Sequence, residues 1–216
     1  LHLVAISTFS VYEYLKLGSG TLLTEETPID DNPANRDEYA QTKLIQEQLV
    51  RDFEKENQAQ VTIIRPGMVY GRNELWNPCL GADFVGNSFL RIGAFGKMPL
   101  TYVENCAKAI VAAVGSEKAI AQTINIVDDN QPSKQAFTQE LLKRPSDPPA
   151  KVIPVNWLFM KTLAQSAWLF NQIILKGKAR LPGLLIPAKL EARFKPLEYT
   201  NNRAKELLNW KPQYSL

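Results

Sequence analysis

Two short apolar runs rich in β-branched residues, L-H-L-V-A-I-S at residues 1 to 7 and V-T-I-I-R at 61 to 65, bracket a helical pattern. A strand, a helix and a second strand in that order make a βαβ unit. Its strands are parallel and its crossover right-handed. Both strands therefore end at the same edge of the sheet, where open α/β sheets bind ligands. Ser7 and Thr8 fall at that edge, and so do Pro66 and Gly67. The intervening helix is expected to start at Asn35 as N-cap, with Glu38 three residues on as its capping-box partner. Ile45, Leu49 and Phe53, widened by Leu44 and Val50, form its apolar stripe, and it runs to about Asn57.

The alternation of elements continues downstream. Residues 84 to 92 read as a short helix, 100 to 103 as a strand, 104 to 115 as a helix and 123 to 127 as a strand. A helix over 133 to 142 takes Ser133 as cap, and K-V-I-P-V at 151 to 155 is a strand. A long apolar helix covers 156 to 175. Lys161, Gln165 and Asn171 interrupt it, which argues against a membrane span. The tail T-N-N-R-A-K-E-L-L-N-W-K-P is a short helix stopped by Pro212.

Composition narrows the chemistry. A chain of 216 residues can bury a sizeable core. Its net charge of +3 is mild, and no basic run interleaves with aromatics, so nucleic-acid binding has no support. Cys79 and Cys106 are far apart and read as thiols in a reducing, cytoplasmic setting. The single histidine, His2, sits in an apolar strand. Triads and dyads built on imidazole are thereby disfavoured, as are His- or Cys-rich metal sites, and no metal is expected. The opening residues look like entry in mid-strand, so the chain is expected to be the C-terminal part of a longer protein.

Two Tyr-x-x-x-Lys spacings occur, Tyr12/Lys16 and Tyr39/Lys43. The first lies between a strand end and Gly18-Ser19-Gly20, with little room for a helix. The second lies in the early turns of the capped helix. At i and i+4 the two side chains share one face, with Cβ atoms about 5–6 Å apart. An ammonium about 6 Å from a phenol, at an effective dielectric near 20, favours the phenolate by about 3 kcal/mol. Such a tyrosine can exchange protons with an alcohol or a carbonyl. Thr8 adds a hydroxyl at the same sheet edge, free either to hold a substrate oxygen or to cap its own loop. The spacing alone leaves open that Tyr39 packs and Lys43 is merely solvated.

The ordered set S-T-F-S-V-Y (7 to 12), Y-A-Q-T-K (39 to 43), R-P-G-M-V-Y-G (65 to 71), T-Y-V-E-N-C-A-K-A (101 to 109), I-N-I-V (124 to 127) and A-K-E-L-L-N-W-K-P (204 to 212) resembles the extended short-chain dehydrogenase/reductases. These include the NAD-dependent epimerase/dehydratase group and the 3β-hydroxysteroid-dehydrogenase-like enzymes. The resemblance implies an α/β fold with a Rossmann-like parallel sheet, here lacking its N-terminal strands, and a smaller C-terminal substrate-binding region. Residues 1–80 and 100–130 would form the dinucleotide-binding half. Residues 81–99 and 131–216 would form the substrate-binding lid. It implies NAD or NADP as cofactor, a catalytic set of Thr8, Tyr39 and Lys43, and a dinucleotide wall of Ser7, Tyr39, Lys43, Pro66, Gly67, Met68 and Val69. It also implies a homodimer through the helix carrying Tyr39 and Lys43.

The departures from the family pattern matter as well. No glycine-rich phosphate turn occurs, so the residue that chooses between NAD and NADP is not in this sequence. Glu13 stands where the family has glycine. Phe9 and Ser10 replace the acidic residues of the sugar 4,6-dehydratases, which argues against dehydration. Met98 stands near the place of a diphosphate-holding arginine, with Arg91 and Lys97 as substitutes. Together with the apolar stretch 156 to 187, this leans toward a less polar small-molecule substrate. Phe9, Ser10, Arg91 and Lys97 are therefore the expected substrate contacts. The basic residues between Lys176 and Lys195 read as a solvated face. The leading expectation is the catalytic portion of an NAD(P)-dependent oxidoreductase. Its rivals are a nucleotide-sugar epimerase and a non-catalytic nucleotide-sensing or interaction module. The 216 residues alone are expected to be inactive and to bind NAD(P) weakly or not at all.

Overall fold

The computed structural model describes residues 2–71, 78–143 and 151–215. The first strand, β1 (His2–Ile6), leads through a 3-10 turn at Phe9–Val11 and a short β2 (Leu22–Leu23) to α1 (Glu38–Asn57). β3 (Gln60–Pro66) follows at once and pairs parallel with β1, His2 opposite Gln60 and Ile6 opposite Ile64. The expected βαβ unit is thus present. Leu1, assigned to the first strand, lies outside the described residues.

β4 (Met68–Tyr70) continues from β3. Next come β5 (Gly81–Phe84), β6 (Ser88–Ile92) and β7 (Leu100–Tyr102), then α2 (Val103–Val114) and β8 (Gln122–Ile126). The chain ends with α3 (Lys134–Leu142), β9 (Lys151–Val155), α4 (Trp157–Ile173), α5 (Pro187–Phe194), β10 (Glu198–Tyr199) and α6 (Asn202–Leu208). Among the described residues the central sheet is parallel, in the order β1-β3-β8. Its core is Ile64, Ile124 and Ile126 against Ala109 and Ala113 of α2 and Leu208 and Trp210 at the C-terminal end. A second sheet, β5-β6-β9, packs with α4 and α5 around Ile92, Trp157, Met160, Leu190 and Phe194. The fold is α/β with a Rossmann-like parallel sheet. No helix among the described residues is long and apolar enough to cross a membrane.

Four local expectations are corrected. Residues 84 to 92 are not helical but form the β5–β6 hairpin, Phe84 opposite Ser88. Gly86 turns the chain with φ +65°, and Gly81 lets the Leu90 carbonyl approach to where a Cβ would be only 1.7 Å away. The N-cap of α1 is Asp37 rather than Asn35, its carboxylate accepting from Ala40 N at 2.9 Å. Asn35 is spent in a 3-10 turn begun by Pro33. The tail helix ends before Pro212, at Asn209 with φ 49°, in the left-handed conformation of a C-terminal stop.

The fourth correction concerns α1. Ile45, Leu49 and Phe53 are exposed, while Ala40, Leu44 and Glu47 are buried. A carboxylate therefore faces inward, for a specific reason. Glu47 accepts from Ser7 Oγ, just past the end of β1, at 2.7 Å, from Arg65 of β3 at 3.1 Å through Nε and again through Nη2, and from Arg51 at 2.9 Å. The Arg65 guanidinium also stacks 4.7 Å from the ring centroid of Tyr12, whose hydroxyl donates to Asn125 of β8 at 2.7 Å. One buried network thus joins α1 to all three strands of the sheet.

Burial pushes the Glu47 carboxyl up. Arg65, with help from Ser7 and Arg51, more than offsets this and holds it below the usual carboxylate range. A depressed folded-state pKa contributes stability above the unfolded pKa and loses it as pH falls through the folded one. Glu47→Gln leaves a buried guanidinium without its counter-charge. Urea unfolding should show a loss of about 3–5 kcal/mol near neutrality. The gap between wild type and variant should narrow as the solution is acidified below about pH 4.

Candidate active site

At the C-terminal ends of β1 and β3 a cavity of about 220 Å³ opens. From the sheet side it is lined by Thr8, Phe9, Ser10, Tyr39, Gly67 and Met68. From the other side come Lys97 and Met98, Lys134 at the start of α3, and Arg193 and Lys195 at the end of α5.

The loop after β1 is held rigidly. Thr8 Oγ1 accepts from Ser10 N at 3.3 Å and so caps the 3-10 turn, while Thr8 also faces the cavity. The buried Arg36 guanidinium donates to Ser10 O at 2.7 Å, Tyr12 O at 3.1 Å and Asp30 Oδ2 at 2.8 Å. This clamps the loop against the entry to α1. Asp37 then caps α1 and pairs with Arg193 of α5 at 3.2 Å, so Tyr39 emerges just inside a doubly anchored first turn. Its ring is 55% exposed and lines the cavity. Lys43, one turn on, donates to Ile6 O at 3.0 Å and Gln46 Oε1 at 2.9 Å, fixing the ammonium at the end of β1. An ammonium has three donors. Among the described residues two of Lys43's are so used.

The structure therefore brings Thr8, Phe9, Ser10, Tyr39, Gly67, Met68 and Lys97 together in one cavity. It places others behind or beside it. Lys43 is anchored under the helix rather than in the lining. Ser7 is committed to Glu47, and Pro66 is buried in the β3–β8 pairing opposite Ile126. Val69 is exposed on β4. Arg91 sits on β6 opposite Gly81, outside the lining, so it does not join Lys97 there. No residue of 156 to 187 lines the cavity, and the apolar side chains Leu158, Phe159, Leu169 and Phe170 of α4 are exposed instead. The stretch 156 to 187 therefore adds no apolar wall to this cavity, whereas Met98 does line it. Of the polar residues expected to break α4, Lys161 pairs with Glu191 at 3.5 Å, and Asn171 is hydrogen-bonded in both directions with Ala179. Tyr12 and Lys16 part company: Tyr12 is in the core and Lys16 is at the surface beside Asp31. His2 bonds Thr62 Oγ1 at 2.8 Å.

Sequence reasoning missed Lys134, Tyr14, Cys79, Lys195 and Tyr199 in the lining. Burial lowers the Lys134 ammonium to about 8, with Cys79 acting in the opposite sense. Burial also raises the Cys79 thiol and the Tyr14 and Tyr199 phenols. The arrangement can hold an oxygen-bearing group between Thr8 and Tyr39 and exchange a proton with it. Tyr39 of α1 and Gly67 and Met68, which follow β3, face this cavity together with Thr8.

A family model described as "Male sterility protein", of NAD-binding type, matches residues 1–115. Among curated proteins, UDP-glucose 4-epimerase of Vibrio cholerae is 27% identical over 211 residues, spanning 92% of this chain and 56% of that protein. Among solved structures, UDP-glucuronic acid 4-epimerase from Bacillus cereus in complex with NAD superposes with a TM-score of 0.61 at 22% identity, over 99% of this chain and 57% of that one. A short-chain dehydrogenase/reductase superfamily protein from Agrobacterium tumefaciens with bound NAD gives 0.62 at 15% identity, over 99% and 63%. These structural likenesses carry the fold. The chain spans little more than half the length of the curated relative.

Gly67 has a structural reason that the sequence does not display. A Cβ there would meet Pro99 O at 2.2 Å and Val127 Cγ1 at 2.9 Å. The same carbonyl accepts from Met68 N at 2.6 Å. Gly67→Ala should cost about 1–3 kcal/mol in thermal or urea unfolding, as overpacking does. A mere loss of a ligand contact would leave stability unchanged.

Proposed function

The chain belongs to the extended short-chain dehydrogenase/reductases, and from that premise we propose that it is the catalytic portion of an NAD(P)-dependent oxidoreductase. The reading rests on one observation: Thr8, Tyr39, Gly67 and Met68 line a single cavity at the ligand edge of the parallel sheet. Thr8 and Tyr39 hold the oxygen of a substrate hydroxyl or ketone. In oxidation Tyr39 takes the hydroxyl proton, and in reduction it returns one to the carbonyl oxygen. Lys43, one helical turn away, turns its remaining donor to a ribose hydroxyl. A nicotinamide ring, when bound, accepts or supplies the hydride.

Gly67 and Met68 present the wall against which that ring lies. Ser7, Pro66 and Val69 hold the wall in shape from behind and beside it. Residues 1–80 and 100–130 act as the dinucleotide-binding part, and 81–99 with 131–216 as the lid. Both parts contribute to the lining, with Thr8 and Tyr39 from the first and Lys97, Lys134 and Arg193 from the second. The exposed Ile45, Leu49 and Phe53 of α1 suit a homodimer contact on the same helix.

An epimerase is the second reading, favoured by the likeness to UDP-glucose 4-epimerase. There the same residues would oxidise a carbinol and re-reduce it from its other face. In the complete protein Tyr39→Phe should lower kcat by about 10²–10⁴-fold with little change in cofactor affinity. Unchanged turnover would remove Tyr39 from the chemistry. Net formation of reduced nicotinamide during turnover marks the oxidoreductase. Isomerisation of a nucleotide sugar without net reduction marks the epimerase.

A further inference from the structure

We propose that α4 is a membrane-docking helix: its outward apolar face, with the basic turn that follows it, lies on the surface of a bilayer containing anionic lipid. The inference does not depend on the reaction at the cavity.

α4 is apolar on two opposite faces. Trp157, Met160 and Ala164 are buried in the core around Ile92 and Phe194. At about 100° per residue, Leu158, Phe159, Leu163, Leu169, Phe170 and Ile173 come out on the other side. All six are exposed, from 42% for Leu163 to 65% for Leu158. Thr162 shares that outward side. Its hydroxyl donates to Leu158 O at 3.0 Å and Phe159 O at 2.9 Å, so it carries no unmet donor into an apolar layer. The opposite face of α4 is committed to the core, so the helix lies along a bilayer rather than through it.

Charge decides what covers this face. Between residues 151 and 190 the chain carries six Lys and Arg and no Asp or Glu. The next carboxylate, Glu191, is buried and paired with Lys161 and Lys195. Lys176, Lys178 and Arg180 follow the apolar face directly. All three are exposed, and none is ion-paired among the described residues. They are also held in place. Lys176 with φ 52° and Gly177 with φ 75° turn the chain out of the helix. Gly177 N donates to Asn171 O at 2.8 Å, and the buried Asn171 amide bonds Ala179 in both directions, at 3.0 and 3.1 Å. The basic turn is thereby pinned to the end of α4. An anionic bilayer surface supplies both things this arrangement lacks, an apolar layer for the side chains and negative charge for the cations. A second copy docked face to face brings no carboxylate from the same stretch, and leaves the cations unmatched. The exposed stripe of α1 is a different kind of surface, because exposed Asp52 and Glu56 lie alongside it.

The test is co-sedimentation of the complete protein with two kinds of vesicle, phosphatidylcholine alone and phosphatidylcholine with about one third phosphatidylglycerol. Binding to the anionic vesicles is expected, about tenfold or more above phosphatidylcholine, and it should weaken as salt is raised. Lys176→Gln, Lys178→Gln and Arg180→Gln combined should lower it about a hundredfold, at roughly fivefold per charge. Phe170→Ser with Ile173→Ser should lower it about tenfold or more. These positions are exposed, and an unchanged thermal unfolding curve shows that each variant is folded. The charge variant lies outside the helix, so it reports even if Phe170→Ser with Ile173→Ser fails to fold. Absence of binding to the anionic vesicles overturns the inference. Binding that either set of substitutions leaves unchanged overturns it as well. So does self-association lost in Phe170→Ser with no vesicle binding, which assigns the face to a second copy of the chain.

Discussion

Everything at the site depends on one buried ion pair, Glu47 with Arg65. It fixes how far α1 slides along the sheet and which of its faces turns inward. Its carboxylate is held by Ser7 just past β1, by β3 through Arg65, and by Arg51 of its own helix. With Glu47 locked at that depth, Tyr39, two helical turns upstream, can only project beyond the strand ends. Lys43, midway between them, meets the last carbonyl of β1. The helix is positioned by polar contacts because its most apolar residues face outward.

That inversion explains where the sequence was legible and where it was not. The βαβ unit, the parallel pairing and the strand at 151 to 155 could be read directly, because short β-branched runs bounded by polar loops have few alternatives. The Ser133 cap was equally plain, and its hydroxyl accepts from Ala136 N at 3.2 Å. Tyr39 could be preferred to Tyr12 from helical room alone. Periodicity, however, reports which face is apolar, not which face is buried. Ile45, Leu49 and Phe53 make the stronger stripe, yet a Glu–Arg pair decided the orientation. The hairpin at 81 to 92 was missed for a similar reason, since its turn and its close strand approach depend on two glycines that a helical count simply passes over.

The cavity was half legible. Residues on its sheet side follow the ordered motifs that carry the family resemblance. Its opposite wall is assembled from Lys97, Lys134, Arg193 and Lys195, which are distant in sequence and carry no shared pattern. Lys134, in particular, reads as an ordinary solvated residue in the first turn of a helix. Only the packing of α5 over α3 removes it from water. Burial of a charge is a property of tertiary contact, and a linear reading has no access to it.

The Arg193–Asp37 pair has a mechanical corollary. Asp37 does two jobs at once: one carboxylate oxygen holds the first turn of α1, and the other is grasped by the far wall. One side chain thus ties the turn that bears Tyr39 to the opposite wall of the cavity, so neither is anchored independently of the other.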